Sequence, residues 1–288
     1  MLRYRRINDG VALWHIKMTA WLIQKYGAPL TPPTPKPLDY QTPLHLRFWD
    51  KADARLPLEW AQDEFNIICN HMHMGQMNIS LIPDMADKDL ETGYKQNRTF
   101  TGGWQTLTQT RVKLDINSNP VVTYNPKFCH IPGYLSARVI MDLSKIYIGA
   151  HQPPEDFDHF FEIPLTLLGA AHLGQGFTLA ALSPDLVQSV LVGRDMTSKE
   201  LKEFTDVVTF VTVLSMACRR LSPEQMIGSF GKIMTPSLRR RIWPMYRNLK
   251  RFEEEVEYLR ELSGSIIGTA SKPQKTFVSH PTNHTQLA

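Results

Sequence analysis

A cysteine and two histidines at alternating positions form the pattern with the most specific chemistry in this sequence. Cys69, His71 and His73 lie in the run CNHMH. If this run is a β-strand, the three side chains point to one face at intervals of about 6.5 to 7 Å. Thiolate and imidazole groups are preferred zinc ligands, and Cys129 or His130 could complete a four-ligand site. The pattern therefore predicts a candidate site for a divalent metal.

The segment HMHM, from His71 to Met74, resembles the metal-binding strand of HUH-type nicking endonucleases. In that family two histidines hold a divalent metal, and a tyrosine attacks a DNA phosphate. The resemblance covers four residues and implies a metal-dependent enzyme that processes nucleic acid at His71 and His73. This is an alternative to the leading, non-enzymatic interpretation, which needs no cofactor.

A basic and aromatic segment offers a second kind of chemistry. Residues 239 to 251 carry a local charge of +6 and no acid. Cations beside aromatic planes are the combination that binds single-stranded nucleic acid. The same combination suits an anionic membrane surface or a nuclear-import peptide. The candidate anion-binding residues are Arg239, Arg240, Arg241, Trp243, Tyr246, Arg247, Lys250 and Arg251.

Apolar residues recur through the same segment with 4-3-4-3-4-3 spacing, which predicts a heptad helix that mediates self-association. Thr235 and Pro236 fit its N-cap and first helical position. Pro244 lies inside the repeat, so a new helix could instead begin there. The seven residues of this seam are Leu238, Ile242, Met245, Leu249, Phe252, Val256 and Leu259.

The charges beside the seam are segregated along the chain. Residues 253 to 261 carry a local charge of −4, after the basic residues that precede them. A single helix with this order opposes its own dipole, which favours acids at the start and bases at the end. We therefore interpret the basic half as a surface for an anionic partner and the acidic half as a partner for it in an antiparallel neighbour. The alternative is an amphipathic helix docked on its own core, with a solvated charged face.

Composition favours an intracellular protein, cytoplasmic or nuclear, that is soluble or peripheral to a membrane. Hydrophobic residues make up 42% of the 288 residues, charged residues 21%, and the net charge is +4. Three cysteines in so long a chain are typical of a reducing compartment. The longest nearly uncharged apolar run, 207 to 218, is shorter than the ~20 residues of a membrane span. No secretory signal is evident, so we expect that the protein is not secreted.

The predicted fold is α+β, with an N-terminal helix, a proline-rich linker, a mostly antiparallel β-rich middle and a helical C-terminal third. The expected boundaries are 1–27 for an amphipathic helix, 28–58 for the linker, 59–182 for the β-rich core, 183–262 for the helical region and 263–288 for a flexible tail. Alternating apolar residues at 65–69, 77–81 and 139–148 favour strands, and residues 104–124 favour a hairpin. The linker could also bind an aromatic-grooved partner domain, as an adaptor would.

These patterns favour a structural protein that self-associates and binds RNA, a nucleoprotein or an anionic membrane through its basic helix. The layout resembles that of viral matrix proteins, which bridge nucleoprotein and membrane. The resemblance is one of layout alone, without a shared motif.

Overall fold

A long apolar helix lies at the centre of the fold. The structure is a computed structural model, and it describes residues 7–30, 58–83, 113–114, 119–125, 129, 133–149, 162–182, 197–231 and 234–269. The helices are α1 (Asp9–Tyr26), α2 (Leu58–His71), α3 (Tyr134–Gly149), α4 (Glu162–His172), α5 (Gly176–Ala180), α6 (Ser198–Cys218), α7 (Pro223–Phe230), α8 (Pro236–Leu249) and α9 (Glu253–Thr269). The strands are β1 (Ser80–Pro83), β2 (Lys113–Leu114) and β3 (Pro120–Tyr124), and a 3₁₀ turn (Lys250–Phe252) joins α8 to α9.

Helix α6 is apolar on several sides, as a helix buried at the centre of a fold must be. Every residue from Val208 to Cys218 is buried. Helices α4, α5, α8 and α9 pack around it. Within the described ranges, no helix is both long and apolar enough to cross a membrane.

Helix α1 confirms the predicted N-terminal helix and packs against α4 and α9. Its start is capped by Asn8, whose Oδ1 accepts a hydrogen bond from the Gly10 amide at 2.9 Å. Gly27 ends it with φ of 92°, a backbone region that favours glycine. The Tyr26 hydroxyl then donates to the Tyr147 carbonyl at 2.6 Å and fixes this end of α1 on α3.

The three strands form one small sheet in the order β1-β3-β2. Strand β1 is parallel to β3, with Ser80 opposite Val121. Strand β2 is antiparallel to β3, with Lys113 opposite Val121, which agrees with the predicted hairpin for the two strands described. Helix α3 packs against β3, and α2 packs against both α3 and β1.

The predicted antiparallel, β-rich middle is wrong, because the described part of 59–182 is mainly helical. In α2 the buried residues Ala61, Phe65, Ile68 and Cys69 follow a helical spacing, whereas Ile67 is 51% exposed. The apparent alternation at 65–69 therefore paired two core positions with a surface one. Residues 139–148 belong to α3, which is buried around much of its circumference, so almost any spacing of apolar residues can be found in it.

Some of the predicted features lie outside the described ranges: most of the proline-rich linker, residues 31–57, together with His130 and residues 104–112 of the hairpin.

The C-terminal tail was expected to begin at 263, but helix α9 continues to Thr269. The helical C-terminal third is confirmed, and the coarse α+β class holds with helices predominant.

Candidate nucleic-acid interface

Helix α8 begins at the predicted cap. The hydroxyl of Thr235 accepts a hydrogen bond from the Leu238 amide at 3.2 Å, and Pro236 follows it in the first turn. A threonine cap satisfies one of the free amides at the helix start, and proline there loses no hydrogen bond. These two residues fix where the basic segment becomes helical.

Pro244 does not end the helix, which runs through it to Leu249. An interior proline costs about 3 kcal/mol, since it lacks an amide hydrogen and crowds the preceding turn. Burial of Ile242 and Met245, both 0% exposed, offsets this cost on either side of Pro244. The carbonyl that loses its partner belongs to Arg240, which lies on the exposed face where water can reach it. The interpretation in which a new helix begins at Pro244 is wrong.

The heptad seam packs into the chain's own core. Its seven residues are between 0 and 7% exposed, and α8 and α9 both lie against α6. The 4-3 spacing of buried residues continues through the 3₁₀ turn on the same face, because Leu249, Phe252 and Val256 are all buried. In this fold the side chains assigned to self-association stabilise the monomer and are not accessible to a second copy. The seam therefore fits the alternative interpretation, in which an amphipathic helix docks on the core of its own chain.

The 3₁₀ turn also changes the argument from the helix dipole. Since a new α-helix begins at Glu253, the acids Glu253, Glu254 and Glu255 occupy its first turn. Acids there are stabilised by about 0.3 to 1 kcal/mol each. The acidic half thus agrees with the dipole of α9, and only the arginines at the start of α8 oppose theirs.

Three of the predicted anion-binding arginines have internal roles. Arg239 donates to the Gly231 carbonyl at the end of α7. Arg241 forms an ion pair with Asp206 of α6, and both side chains are largely buried. Arg251 forms an ion pair with Asp9 at the start of α1. These contacts tie α8 and the 3₁₀ turn to three neighbouring elements.

Tyr246 is turned toward the protein as well. It is half-buried and lies close to Arg260 of α9. Arg260 also donates to the Ala217 carbonyl at 3.0 Å and to Glu257 at 2.8 Å. Tyr246 therefore belongs to the contact between α8, α9 and α6.

The remaining four candidates share one exposed face, which we call the outer stripe: Arg240, Trp243, Arg247 and Lys250. Their 3-4-3 spacing places them within an arc of about 80° on a helix of 100° per residue. The centre of this arc lies about 170° from the centre of the seam. The side chain of Trp243 is partly open to solvent, at 42% exposed. The three cations form no ion pair among the residues that the structure describes.

The acidic residues of α9 also divide into one that is paired within the chain and others that are exposed. Glu257 forms ion pairs with Arg220 at 2.9 Å and Arg260 at 2.8 Å. The hydrogen bond from Arg260 lowers the pKa of the Glu257 carboxyl below its ordinary value. Glu254 and Glu261 instead face solvent and, like the outer stripe, have no ion pair within the described ranges.

The predicted metal ligands are not brought to one face, because their segment is the end of a helix followed by a turn. Cys69 is buried, and burial raises the pKa of its thiol to about 11. His71 is the last residue of α2, and His73 is exposed with φ of 57°, in the left-handed region. Cys129 lies 3.8 Å from the Asn125 carbonyl, measured from Sγ to O. In the described part of the chain, no three His, Cys, Asp or Glu side chains are grouped as metal ligands.

Sequence reasoning missed a polar contact between α2 and α3. Ser136 donates a hydrogen bond to the Glu64 carboxyl, and burial raises the pKa of Glu64 above its ordinary value. Burial also raises the pKa of the nearby Cys129 thiol to about 12, which keeps it protonated. Helical spacing in α2 could have predicted that the Glu64 carboxyl is buried, since Glu64 falls between Ala61 and Phe65 on the buried face.

Two buried histidines lie away from the outer stripe. Burial lowers the pKa of His15 to about 4. The hydrogen bond between its Nδ1 and the Val11 carbonyl oxygen, 2.7 Å apart, opposes this shift but does not cancel it. Burial also lowers the pKa of His172 to about 3, and the charge of Arg219 contributes. Both rings are therefore neutral at pH 7 and act as core side chains.

A comparison of this chain with protein-family models, curated proteins and solved structures found no match. The functional argument therefore depends on the site itself.

Proposed function

We propose that this chain binds single-stranded nucleic acid through the outer stripe of α8. One observation carries the proposal: Arg240, Arg247 and Lys250 share an exposed face with Trp243, and none of these cations has an acidic partner within the described ranges. The neighbouring arginines that are committed to Gly231, Asp206 and Asp9 do not compete for the same role. The stripe is thus a set of cations left for an external anion.

The dimensions of the stripe suit an extended strand. Ten residues separate Arg240 from Lys250, a distance of about 15 Å along the helix axis. That length corresponds to roughly two or three nucleotides of an extended backbone, with a cation near each phosphate. Because the cations lie along a line and would contact the phosphate backbone, we expect weak sequence preference.

Trp243 supplies the stacking surface between the cations. Its half-exposed ring can stack on a base while Arg240 and Arg247 contact the backbone on either side. Stacking of this type contributes about 1 to 3 kcal/mol per base and tolerates any sequence. Both arginines can also contact phosphate through two N–H groups, which a lysine cannot do.

An anionic membrane surface fits the same cations less well. A helix that lies in the membrane interface buries a broad apolar face next to its basic residues. The apolar face of α8 is the seam, which is already buried against α6, and Trp243 is the one apolar member of the outer stripe. Single-stranded nucleic acid needs cations and one stacking plane, so we favour it over lipid.

The test is fluorescence anisotropy of a labelled single-stranded RNA across a salt series. We expect a plot of log affinity against log salt with a slope of about −2, for three phosphate contacts at about −0.7 each. Replacing two cations of the stripe, Arg240→Gln with Arg247→Gln, should lower the affinity at least tenfold and flatten the slope by about 1.4. The matched control removes two exposed cations elsewhere, Lys25→Gln with Lys202→Gln, and should retain both affinity and slope.

Two results would contradict the proposal. One is RNA binding that falls equally in the stripe variant and the control, since net charge alone would then explain it. The other is the absence of RNA binding together with stripe-dependent binding to vesicles of phosphatidylserine and phosphatidylcholine, which would assign the stripe to a membrane surface.

A further inference from the structure

We propose that the outer face of α8 and α9 also docks against the same face of a second copy of this chain, in an antiparallel arrangement. The outer stripe continues into α9 as Glu254, Tyr258 and Glu261, which we call the acidic stripe. On a helical wheel the acidic stripe falls within the same arc of about 80° as the outer stripe. One continuous exposed face is therefore basic in its first half and acidic in its second.

An antiparallel pair with its twofold axis between residues 250 and 251 matches these halves residue by residue. Arg240 then faces the partner's Glu261. Arg247 faces the partner's Glu254. Between these two ion pairs, Trp243 faces the partner's Tyr258. Since the axis repeats each contact, the interface contains four ion pairs and two aromatic contacts from a single register.

The groups that this register joins are the ones left exposed in the monomer. All four charged side chains are exposed and lack an ion pair in the described part of the chain. Trp243 is 42% exposed and Tyr258 is 51% exposed, and both lie on this face. An aromatic pair flanked by ion pairs provides both apolar burial and orientation.

Other registers are penalised by charge. Sliding the partner by one heptad in either direction, which moves the axis by half a heptad, places Arg247 against the partner's Arg247, or Glu254 against the partner's Glu254, and leaves two ion pairs in place of four. A parallel pair would place each basic half against another basic half. Like charges facing each other oppose association, so the charge order selects one alignment.

The cations nearest the axis are also accommodated. Arg251 is already paired with Asp9 of its own chain. Lys250 lies within one helical turn of the position where the partner's Glu254 meets Arg247, and its long side chain can reach that carboxylate.

The interface is small, which sets the affinity to expect. From Arg240 to Glu261 the face is about 32 Å long and one helix wide. Such a strip falls below the roughly 1,200 Å² typical of stable complexes. We therefore expect a dissociation constant on the order of 10 to 100 µM.

This dimer and single-stranded nucleic acid would use the same side chains. Arg240, Trp243 and Arg247 cannot contact both at once, so each partner excludes the other. The competition rests on the proposed function, whereas the dimer itself rests only on the exposed face and its charge order. The acidic stripe of one copy would then act as an internal competitor of nucleic acid.

Sedimentation equilibrium of two charge-reversal variants tests the dimer. An acidic variant carries Arg240→Glu with Arg247→Glu, and a basic variant carries Glu254→Arg with Glu261→Arg. In each variant alone, every ion pair becomes a like-charge contact, and we expect the dissociation constant to rise at least tenfold above the wild-type value. Mixed in equal amounts, the two variants restore every opposite-charge contact and should form a heterodimer at least as tight as the wild-type dimer.

Several outcomes would overturn the dimer. These are a wild type that remains monomeric up to about 500 µM, a variant that dimerises alone as well as wild type, or a mixture that does not associate. A control with the same charge change elsewhere, Lys25→Glu with Lys202→Glu, should dimerise like wild type. All the substituted positions are exposed, and urea unfolding of each variant confirms that the fold is retained.

The two proposals fail separately. The basic variant keeps the whole outer stripe, so it measures RNA binding without the dimer. If the mixture associates but neither wild type nor the basic variant binds RNA, the dimer stands and the nucleic-acid function falls. If RNA binds and also dissociates the wild-type dimer, the two partners compete as proposed.

Discussion

The two faces of the α8–α9 helix have the same spacing and different roles. The inner seam and the outer stripe both repeat at intervals of three and four residues. Every seam residue is at most 7% exposed, whereas the members of the outer stripe are all exposed to solvent. The repeat identifies the faces of a helix, but the neighbours in the fold decide what each face does. Here the strict heptad seam serves intramolecular packing.

Adjacent arginines show the same difference at the scale of single residues. Arg241 is held by Asp206 in a largely buried ion pair, and its neighbour Arg240 faces solvent. Adjacent side chains on an α-helix point about 100° apart, so Arg241 can pair within the fold while Arg240 remains available to a ligand. Counting charges in the segment therefore overestimates the number available to a partner.

The largest effect that separates the two faces is expected from truncating the seam. Ile242 is 0% exposed, so Ile242→Ala removes buried methylene groups and leaves a cavity against α6. We expect the free energy of unfolding to fall by about 2 to 5 kcal/mol, measured by urea denaturation. Arg240→Ala, two residues away on the outer stripe, should change it by no more than about 0.5 kcal/mol. Equal losses in both variants would contradict the assignment of the two faces.

Local signals in the sequence predicted the helices that begin at caps. Thr235 with Pro236 begins a helix where expected, and Ser222 with Pro223 begins α7 with the same kind of cap. These signals work because the cap satisfies backbone amides locally, whatever the rest of the chain does. The middle of the chain lacked such signals, and short apolar runs there fit either period, so α2 and α3 were mistaken for strands.

The sequence predicts the segment that contains the candidate site but not which of its cations are held by the rest of the fold. The sequence contains the cations and Trp243, and helical spacing alone would have grouped Arg240, Trp243, Arg247 and Lys250. It does not contain the long-range contacts that remove the other arginines from the site. Arg251 binds a residue 242 positions earlier in the chain, Asp9, and only the folded structure brings them together.

Acid should act on the core beneath the helices and spare the outer stripe. His15 has a folded pKa of about 4, below the ordinary value of 6.5, so the unfolded chain binds its proton first. The stability that neutral His15 contributes is complete above pH 6.5 and is lost as the pH falls from 6.5 toward 4. This amounts to about 1.4 kcal/mol per pH unit, or about 2 kcal/mol at pH 5.

Urea unfolding of wild type and His15→Gln between pH 7.5 and pH 5 measures this loss. The variant should be less stable at pH 7.5 but lose about 1.4 kcal/mol less per pH unit below pH 6.5 than wild type does. Leu13→Ala is a control on the exposed side of the same helix and should keep the wild-type pH dependence. An unchanged dependence in His15→Gln would show that His15 is not buried as a neutral ring.

A smaller effect on stability than that of Ile242→Ala is expected at Trp243, where the two faces can be separated most sharply. Since Trp243 is 42% exposed and only part of its ring is covered, Trp243→Ala should lower the free energy of unfolding by about 1 to 2 kcal/mol, less than Ile242→Ala. The loss of a stacking plane should weaken RNA binding by about 1 to 3 kcal/mol, or roughly 5- to 150-fold. Trp243→Phe retains an aromatic plane and should recover most of that affinity, whereas Tyr258→Ala, an exposed aromatic in the acidic half, should leave it unchanged in dilute protein. If Trp243→Ala destabilised the fold as much as Ile242→Ala, the tryptophan would belong to the inner face, and the outer stripe would lose its stacking surface.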